Sequence, residues 1–207
     1  DIDGVAATAG PGLIGGVAVG TVTAKAIAAT RKIPYYAVNH LEGHALSPRL
    51  AGNLSFTYLL LLVSGGHTQL LAVKGPGRYQ RYGTTMDDAA GEAFDECAKA
   101  MGLGFPGGPA IEAAAKTGNS KAIDLPRPLT GTPGCHFSFS GLKTALANKL
   151  QKLGGPNAAP VADLAARLHA AIADCREDRT KPAMTRLTDE VPAGHGSKPS
   201  LGLGGGC

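Results

Sequence analysis

The sequence has no long apolar segment, no paired cysteines and no secretory signal. Its longest apolar run, Tyr58 to Val63, is far shorter than the roughly 20 residues of a membrane span, so we expect no membrane partner. The four cysteines (Cys97, Cys135, Cys175 and Cys207) include no C-x-x-C pair, which excludes a zinc knuckle and indicates reduced thiols in a cytosol. The acidic start at Asp1 without an initiator Met indicates a chain cut from something longer.

The standard phosphate-binding fingerprints are also missing. Ala9-Gly10-Pro11-Gly12 lies between a predicted strand, Ile2 to Thr8, and a predicted helix, Leu13 to Thr30, but matches neither a P-loop nor G-x-G-x-x-G. A phosphate cradle and a helix packed closely on a sheet therefore both stay open. The 20 basic against 16 acidic residues allow an RNA or nucleotide partner without requiring one.

Two histidines four residues apart are the most informative feature that is present. His40 and His44 follow a predicted strand, Ile33 to Val38, and one helical turn would point both imidazoles at a single metal ion. A surface or capping role is the alternative. A zinc-protease motif is not indicated, because Leu41 occupies the place of its glutamate base. Two histidines are too few for a metal site, so a further ligand must come from elsewhere.

The rest of the chain predicts a β-meander followed by helices. The meander comprises Phe56 to Ser64, Gln69 to Lys74 and Arg78 to Thr85, and its Ser64-Gly65-Gly66 turn is either an ordinary hairpin or an anion site. Later elements are the helices 88–101, 110–116, 140–153 and 161–178, an irregular polar stretch 177–199, and a strand from Ser200. In the first of these helices Asp87 or Asp88 is the expected N-cap, with Ala89, Ala93, Phe94 and Ala100 inward. The lysines of the helix 140–153 either contact RNA phosphates or are merely solvated.

Six motifs in order closely resemble one family, the universal tRNA threonylcarbamoyladenosine transferases, called TsaD in bacteria and formerly Gcp or O-sialoglycoprotein endopeptidase. The matching stretches are Thr8–Leu13, His40–His44, Leu62–Thr68, Asp87–Asp95, Phe105–Pro109 and Phe137–Thr144. The resemblance is continuous from Asp3 to about Leu150. It implies an α/β fold of the actin/Hsp70/sugar-kinase (ASKHA) type with two lobes, both incomplete: residues 1–53 belong to the first lobe and 54–207 to the second.

The resemblance also implies a reaction and its site. The family transfers the threonylcarbamoyl group of threonylcarbamoyl-AMP to N6 of adenosine 37 in tRNAs that read codons beginning with A. By this analogy His40 and His44 ligate one divalent metal ion per subunit, iron or zinc. The residues expected around the adenylate are Leu62, Val63, Ser64, Gly65, Gly66, Asp95, Gly108 and Glu112. No protein nucleophile is required, and no catalytic residue or general base is assigned.

Partners and location follow from the same resemblance. They are tRNA, a paralogous pseudo-enzyme and a small P-loop ATPase, in a bacterial cytoplasm or a mitochondrion. The family's opening phosphate loop and its third metal ligand, an Asp, have no counterpart between Asp1 and Cys207. We therefore expect weak metal binding and no tRNA modification by this chain alone. A metalloprotease and a non-catalytic nucleotide-binding scaffold are the alternative functions.

Overall fold

The structure, a computed structural model, describes residues 1–50, 52, 54–191 and 199–206. The fold is mixed α/β and divides into two compact units, Asp1–Leu54 and Ser55–Cys207. No helix among these residues combines the length and apolar composition that crossing a bilayer requires.

The first unit is one β-α-β motif followed by a short helix. Strands β1 (Val5–Gly10) and β2 (Tyr35–Asn39) pair in parallel, and helix α1 (Ile14–Arg31) connects them. Helix α2 (His40–Leu46) follows β2 without a gap, and a 3-10 turn (Ser47–Arg49) comes next. The prediction of a strand, a helix, a strand and a helical turn is confirmed, although β1 begins at Val5 rather than Ile2.

The second unit is built on a four-stranded sheet of order β5-β4-β3-β6. Strands β3 (Tyr58–Val63), β4 (Thr68–Gly75) and β5 (Arg78–Thr84) form the predicted antiparallel meander, and β6 (Ser200–Gly204) pairs in parallel with β3. All six residues of β3 are buried, as expected of a central strand with a continuous apolar run.

In the described part of the second unit, four helices pack with the sheet around one apolar core. They are α3 (Ala90–Ala100), α4 (Gly107–Ala115), α5 (Ser140–Lys152) and α6 (Val161–Glu190). The largest buried aromatic side chains of the core include Phe137 and Phe139, which stack on each other with centroids 6.0 Å apart. Because this core joins strands and helices, it fixes the ends of β3 and α3 that are considered below.

The predicted end of α6 near Asp178 is wrong, because the helix continues to Glu190. The polar composition after Glu177 concealed a buried stripe at helical spacing, Cys175, Arg179, Ala183 and Leu187. Pro182 lies inside α6 and removes one backbone hydrogen bond, but the helix does not end there. The rest of the stretch predicted to be irregular, residues 192–198, lies outside the described residues, as does Cys207.

Three smaller predictions are also wrong. The N-cap of α3 is Ala89, because the carboxylate of Asp87 is bound elsewhere, and Ala100 is exposed. Helix α4 begins at Gly107 rather than Ala110, since the carboxylate of Asp95 accepts a hydrogen bond from the Gly107 N–H and caps it. These helix starts therefore depend on side chains distant in sequence, which local propensity does not reveal.

Candidate functional site

The two histidines lie on α2 as the spacing predicts. The side chain of Asn39 begins this helix by accepting hydrogen bonds from the N–H groups of Leu41 (2.9 Å) and Glu42 (3.3 Å). The next turn brings the Nε2 atoms of His40 and His44 within 3.2 Å of each other. The rings meet edge to face, with an interplanar angle of 77° and centroids 4.5 Å apart.

This separation fits two neighbouring ligands of one metal ion. Two imidazole nitrogens at about 2.0–2.1 Å from a tetrahedral zinc ion lie about 3.3–3.4 Å apart. The same contact is a hydrogen bond when one Nε2 atom carries a proton and the other does not. Among the described residues no group of three His, Cys, Asp or Glu side chains is placed to hold a metal.

In the second unit, the tip of the β3–β4 hairpin presents its backbone to solvent. The turn closes on itself, because Ser64 N–H donates to the carbonyl of His67 (2.8 Å) and His67 N–H donates to Oγ of Ser64 (3.1 Å). Gly65 and Gly66 are exposed, and within the described part of the chain their N–H groups have no hydrogen-bond partner. The turn therefore offers two free backbone donors to an anion, while the serine hydroxyl is engaged within the turn.

The side chains of Leu62 and Val63, the two residues before this turn, are not available to a ligand. Leu62 and Val63 are buried within β3, so only their backbone continues the exposed edge of the turn. Val63 lines a small cavity of about 140 Å³ with Arg176, Leu203 and Gly204. The next residue, Gly205, has φ +123°, and a Cβ there would overlap the Val63 carbonyl. Only glycine allows the segment after β6 to approach β3 so closely.

The hairpin turn rests on the first turn of α3. Gly91 N–H donates to the carbonyl of Ser64 (3.3 Å), and Ala90 N–H donates to Oγ1 of Thr68 (2.9 Å). Thr68 is fully buried. In the sequence, Thr68 is the last residue of the matching stretch Leu62–Thr68, but no local pattern there indicates a bond to α3.

Asp95 lies further along α3 and faces the start of α4. Its Oδ1 accepts the N–H of Gly107 at 2.7 Å, and its Oδ2 has no partner among the described residues. Gly108 and Glu112 are one turn apart on α4, and Glu112 is exposed. An open cleft of about 370 Å³ adjoins Asp95, and its other lining residues include Lys99, Leu103 and the exposed Phe105.

A second carboxylate, Asp87, joins α3 to α5. It accepts hydrogen bonds from the hydroxyls of Ser138 (2.5 Å) and Ser140 (2.9 Å) and from the N–H groups of Phe139 (2.7 Å) and Ser140 (3.3 Å). Burial by itself raises the pKa of Asp87, but these hydrogen bonds outweigh it and hold the pKa below its ordinary value. No local signal reveals this role, since the partners lie about fifty residues away.

Lys143 on α5 adds an ion pair to the same junction. Its Nζ lies 2.8 Å from Asp88 and 2.6 Å from Glu96, and these contacts raise the pKa of Lys143. Lys143 was one of the lysines considered for contact with RNA phosphates, and its ammonium group is instead paired with two carboxylates of this chain. Lys149 and Lys152 stand in the last turn of α5, where they also complement the helix dipole.

The cysteines that the structure describes do not resemble activated nucleophiles. Cys97, Cys135 and Cys175 are buried and unpaired. Burial raises the pKa of Cys97 to about 12 and also raises the pKa values of Cys135 and Cys175. A thiolate at neutral pH is therefore disfavoured at all three positions.

Comparison with known proteins gives consistent matches. A profile of the TsaD family, described as tRNA N6-adenosine threonylcarbamoyltransferase, matches residues 1–206. Curated proteins of that name are similar to this chain: one from Paramagnetospirillum magneticum is 58% identical over 193 residues, which is 93% of this chain and 56% of the relative. One from Rhodospirillum rubrum is 60% identical over 185 residues, 88% of this chain and 51% of the relative. One from Rhizobium meliloti is 54% identical over 206 residues, 100% of this chain and 57% of the relative. The chain thus spans about half the length of these relatives.

Proposed function

The chain belongs to the tRNA N6-adenosine threonylcarbamoyltransferase family, and from this premise we propose that it carries the adenylate-binding part of such an enzyme. The proposed reaction transfers the threonylcarbamoyl group from threonylcarbamoyl-AMP to N6 of adenosine 37 in tRNAs that read codons beginning with A. The fold is proposed to be of the two-lobed actin/Hsp70/sugar-kinase type. One observation carries the proposal: helix α3 is bonded to the exposed Gly65-Gly66 turn and also carries Asp95. One carboxylate oxygen of Asp95 has no partner among the described residues.

The substrate contacts are assigned from the groups that remain free. The N–H groups of Gly65 and Gly66 donate to the phosphate of the adenylate, beside the backbone of Leu62, Val63 and Ser64. The Oδ2 atom of Asp95 accepts from a ribose hydroxyl, since its Oδ1 is already bound to Gly107.

Two residues of α4, Gly108 and Glu112, are the other proposed neighbours of the ribose. Gly108 stands beside the N-terminus of α4 that Asp95 caps, and its lack of a side chain leaves room for the sugar. Glu112, one turn further along and exposed, is a second acceptor for the ribose hydroxyls. Binding at both ends orients the reacting carbonyl without any nucleophile from the protein.

His40 and His44 are the proposed ligands of an iron or zinc ion, because their Nε2 atoms have the spacing of adjacent ligands. Such an ion, when bound, would supply Lewis-acid chemistry for the transfer. The nearby Leu41 leaves no general base directly after His40, so the arrangement does not favour a metalloprotease.

The proposed partners are tRNA, a paralogous pseudo-enzyme and a small P-loop ATPase, and the proposed location is the bacterial cytoplasm, since the relatives named above are bacterial. These assignments rest on family membership. The charge balance of 20 basic and 16 acidic residues is compatible with an RNA partner.

A chimera tests the proposed function. The matching segment of the P. magneticum relative is replaced by this chain, and threonylcarbamoyladenosine in tRNA is measured by nucleoside mass spectrometry. We expect modification by the chimera and at least a tenfold loss with His40→Ala or Asp95→Ala. A folded chimera without activity, or one that cleaves a glycoprotein in a His40-dependent manner, would contradict the proposal. Binding of AMP without any tRNA modification would support the scaffold alternative.

A further inference from the structure

We propose that Thr68 is a positioning residue that sets the distance between the phosphate-binding and ribose-binding ends of the adenylate site. This inference rests on the proposed function. The two ends belong to different elements, the β3–β4 turn and the helix α3. Within the described residues two hydrogen bonds join the turn and the start of α3, and one of them is accepted by the buried hydroxyl of Thr68.

The start of α3 requires a capping oxygen that its own sequence does not supply. The first N–H groups of a helix have no partner within the helix, and the N-cap residue is Ala89, whose side chain accepts no hydrogen bond. Glu92 accepts the Ala89 N–H at 3.4 Å, so it supplies no acceptor for the N–H of Ala90. Thr68 Oγ1 accepts that N–H at 2.9 Å and takes the place of the missing cap.

The position of Thr68 makes this bond a link between elements rather than a local cap. Its backbone begins β4 directly after the turn, and its carbonyl accepts the N–H of Thr85 at 2.9 Å. On the other side of the turn, Gly91 N–H donates to the carbonyl of Ser64 at 3.3 Å. The turn is therefore held at both ends by the first two residues of α3, and the shorter of these two bonds belongs to Thr68.

The consequence for the site follows from the rigidity of α3. Asp95 lies five residues after Ala90 on this helix and binds Gly107 at 2.7 Å, so it moves with α3. The free N–H groups of Gly65 and Gly66 move instead with the hairpin. Without the Thr68 hydroxyl the helix start shifts to find another acceptor, and the separation between Asp95 and the turn changes. A ligand that contacts both ends loses affinity, whereas one that contacts a single end does not.

Calorimetric titration with AMP and with adenosine tests this role. AMP carries both phosphate and ribose, whereas adenosine lacks the phosphate. For Thr68→Val, which replaces the hydroxyl by a methyl group, we expect about a tenfold weaker AMP affinity and an adenosine affinity within about twofold of the unchanged chain. Thr68→Ser retains the hydroxyl and should restore the AMP affinity. Thr68→Ala removes the hydroxyl without adding volume and serves if the valine variant does not fold.

The ratio of the two affinities separates positioning from simple destabilisation. A variant that weakens AMP and adenosine equally, or that binds AMP as tightly as the unchanged chain, would overturn the role of Thr68 and leave the proposed function intact. If the unchanged chain binds adenosine no less tightly than AMP, the assignment of Gly65 and Gly66 to phosphate fails, and the role of Thr68 fails with it. The supporting result is a loss of AMP affinity in both Thr68→Val and Thr68→Ala while the adenosine affinity is retained, with recovery of the AMP affinity in Thr68→Ser.

Discussion

At the scale of single residues, the carboxylate of Asp87 accepts four hydrogen bonds from residues 138–140. It supplies the start of α5 with the acceptor that its N-cap, Phe139, lacks. We expect Asp87→Asn to lower the free energy of unfolding by about 1 kcal/mol, because the amide keeps one acceptor oxygen for the N–H groups but loses the charged acceptor of the Ser138 and Ser140 hydroxyls. Solvent screening of the exposed side chain limits this loss. Urea denaturation measures it. Asp189→Asn is the control, since Asp189 is exposed and makes no hydrogen bond within the described residues.

The same residue gives the stability a defined pH dependence. The folded pKa of Asp87 lies below its ordinary value of about 3.9, so the unfolded chain takes up the proton first as the pH falls. The stabilisation by Asp87 is therefore fully present above about pH 5 and is lost as the pH falls through the folded pKa. The difference between the unchanged chain and Asp87→Asn should be constant above about pH 5 and shrink between about pH 5 and pH 3. A difference independent of pH over this range would show that the charge is not what Asp87 contributes.

The histidine pair makes a prediction about metal alone. If both Nε2 atoms bind one ion, His40→Ala and His44→Ala should each weaken zinc binding by at least about tenfold, and the double variant should add little. Competition with a chromogenic chelator gives the affinities. His136→Ala is the control, because His136 is exposed and its Nδ1 contacts Thr84 instead. Equal zinc affinities for all variants would exclude the pair as ligands.

At the scale of elements, side chains on one face of α6 bind residues 127–134 of the long loop that precedes α5. Asp174 binds Arg127 at 2.5 Å, Cys175 contacts the carbonyl of Pro128, and Arg179 donates to the carbonyls of Thr132 (2.8 Å) and Gly134 (3.2 Å). Arg179 is also paired with Asp178 and is only 3% exposed. The loop has no strand or helix of its own, so these contacts define its path.

This arrangement predicts unequal effects for two cations on one helix. Arg179→Met should lower the free energy of unfolding by about 3 kcal/mol, because the carbonyls of Thr132 and Gly134 lose this donor. Asp178 keeps only the weaker hydrogen bond from the Gly131 N–H. Lys181→Ala breaks an exposed pair with Glu177 and should leave the free energy of unfolding nearly unchanged. Thermal unfolding of both variants compares them. Equal effects would mean that burial of the Arg179 pair is unimportant for stability.

Sequence patterns predict the elements where the signal is local and periodic. The alternation of apolar strands with glycine turns at 65–66 and 75–77 was sufficient for the β3–β4–β5 meander, and the i, i+4 spacing was sufficient for the histidine pair. The second half of α6 was missed because charged residues and Pro182 conceal its buried stripe. The partners of Thr68 and Asp87 were missed because their hydrogen bonds join residues 22 and about 52 positions apart, which no local pattern encodes.

At the scale of the whole molecule, the two units differ in what they bury. The buried apolar residues of the first unit that the structure describes are three alanines, Ala24, Ala28 and Ala45, whereas Leu13 and Ile14 are 89% and 87% exposed. The second unit has a continuous core that includes the β3 leucines and Phe139. Alanine side chains contribute little burial, so the first unit lacks the driving force for independent folding.

We therefore expect residues 55–207, expressed alone, to unfold cooperatively, and residues 1–54 alone to lack stable structure. Circular dichroism during thermal unfolding, with hydrogen exchange of each fragment, measures this. The fragment 55–207 should keep protected amides in β3 and β4. A cooperative transition for 1–54 would contradict the expectation, as would exchange-labile amides throughout β3 of the longer fragment.

The cleft beside Asp95 offers a position for a fluorescent tryptophan probe. Phe105, 86% exposed, lines this cleft, and the chain contains no tryptophan. A Phe105→Trp substitution would therefore place the only indole of the protein at the cleft. Its emission wavelength would report the polarity of that single location, free of background from other indoles. Occupation of the cleft could then be followed in real time by fluorescence, without attaching a dye.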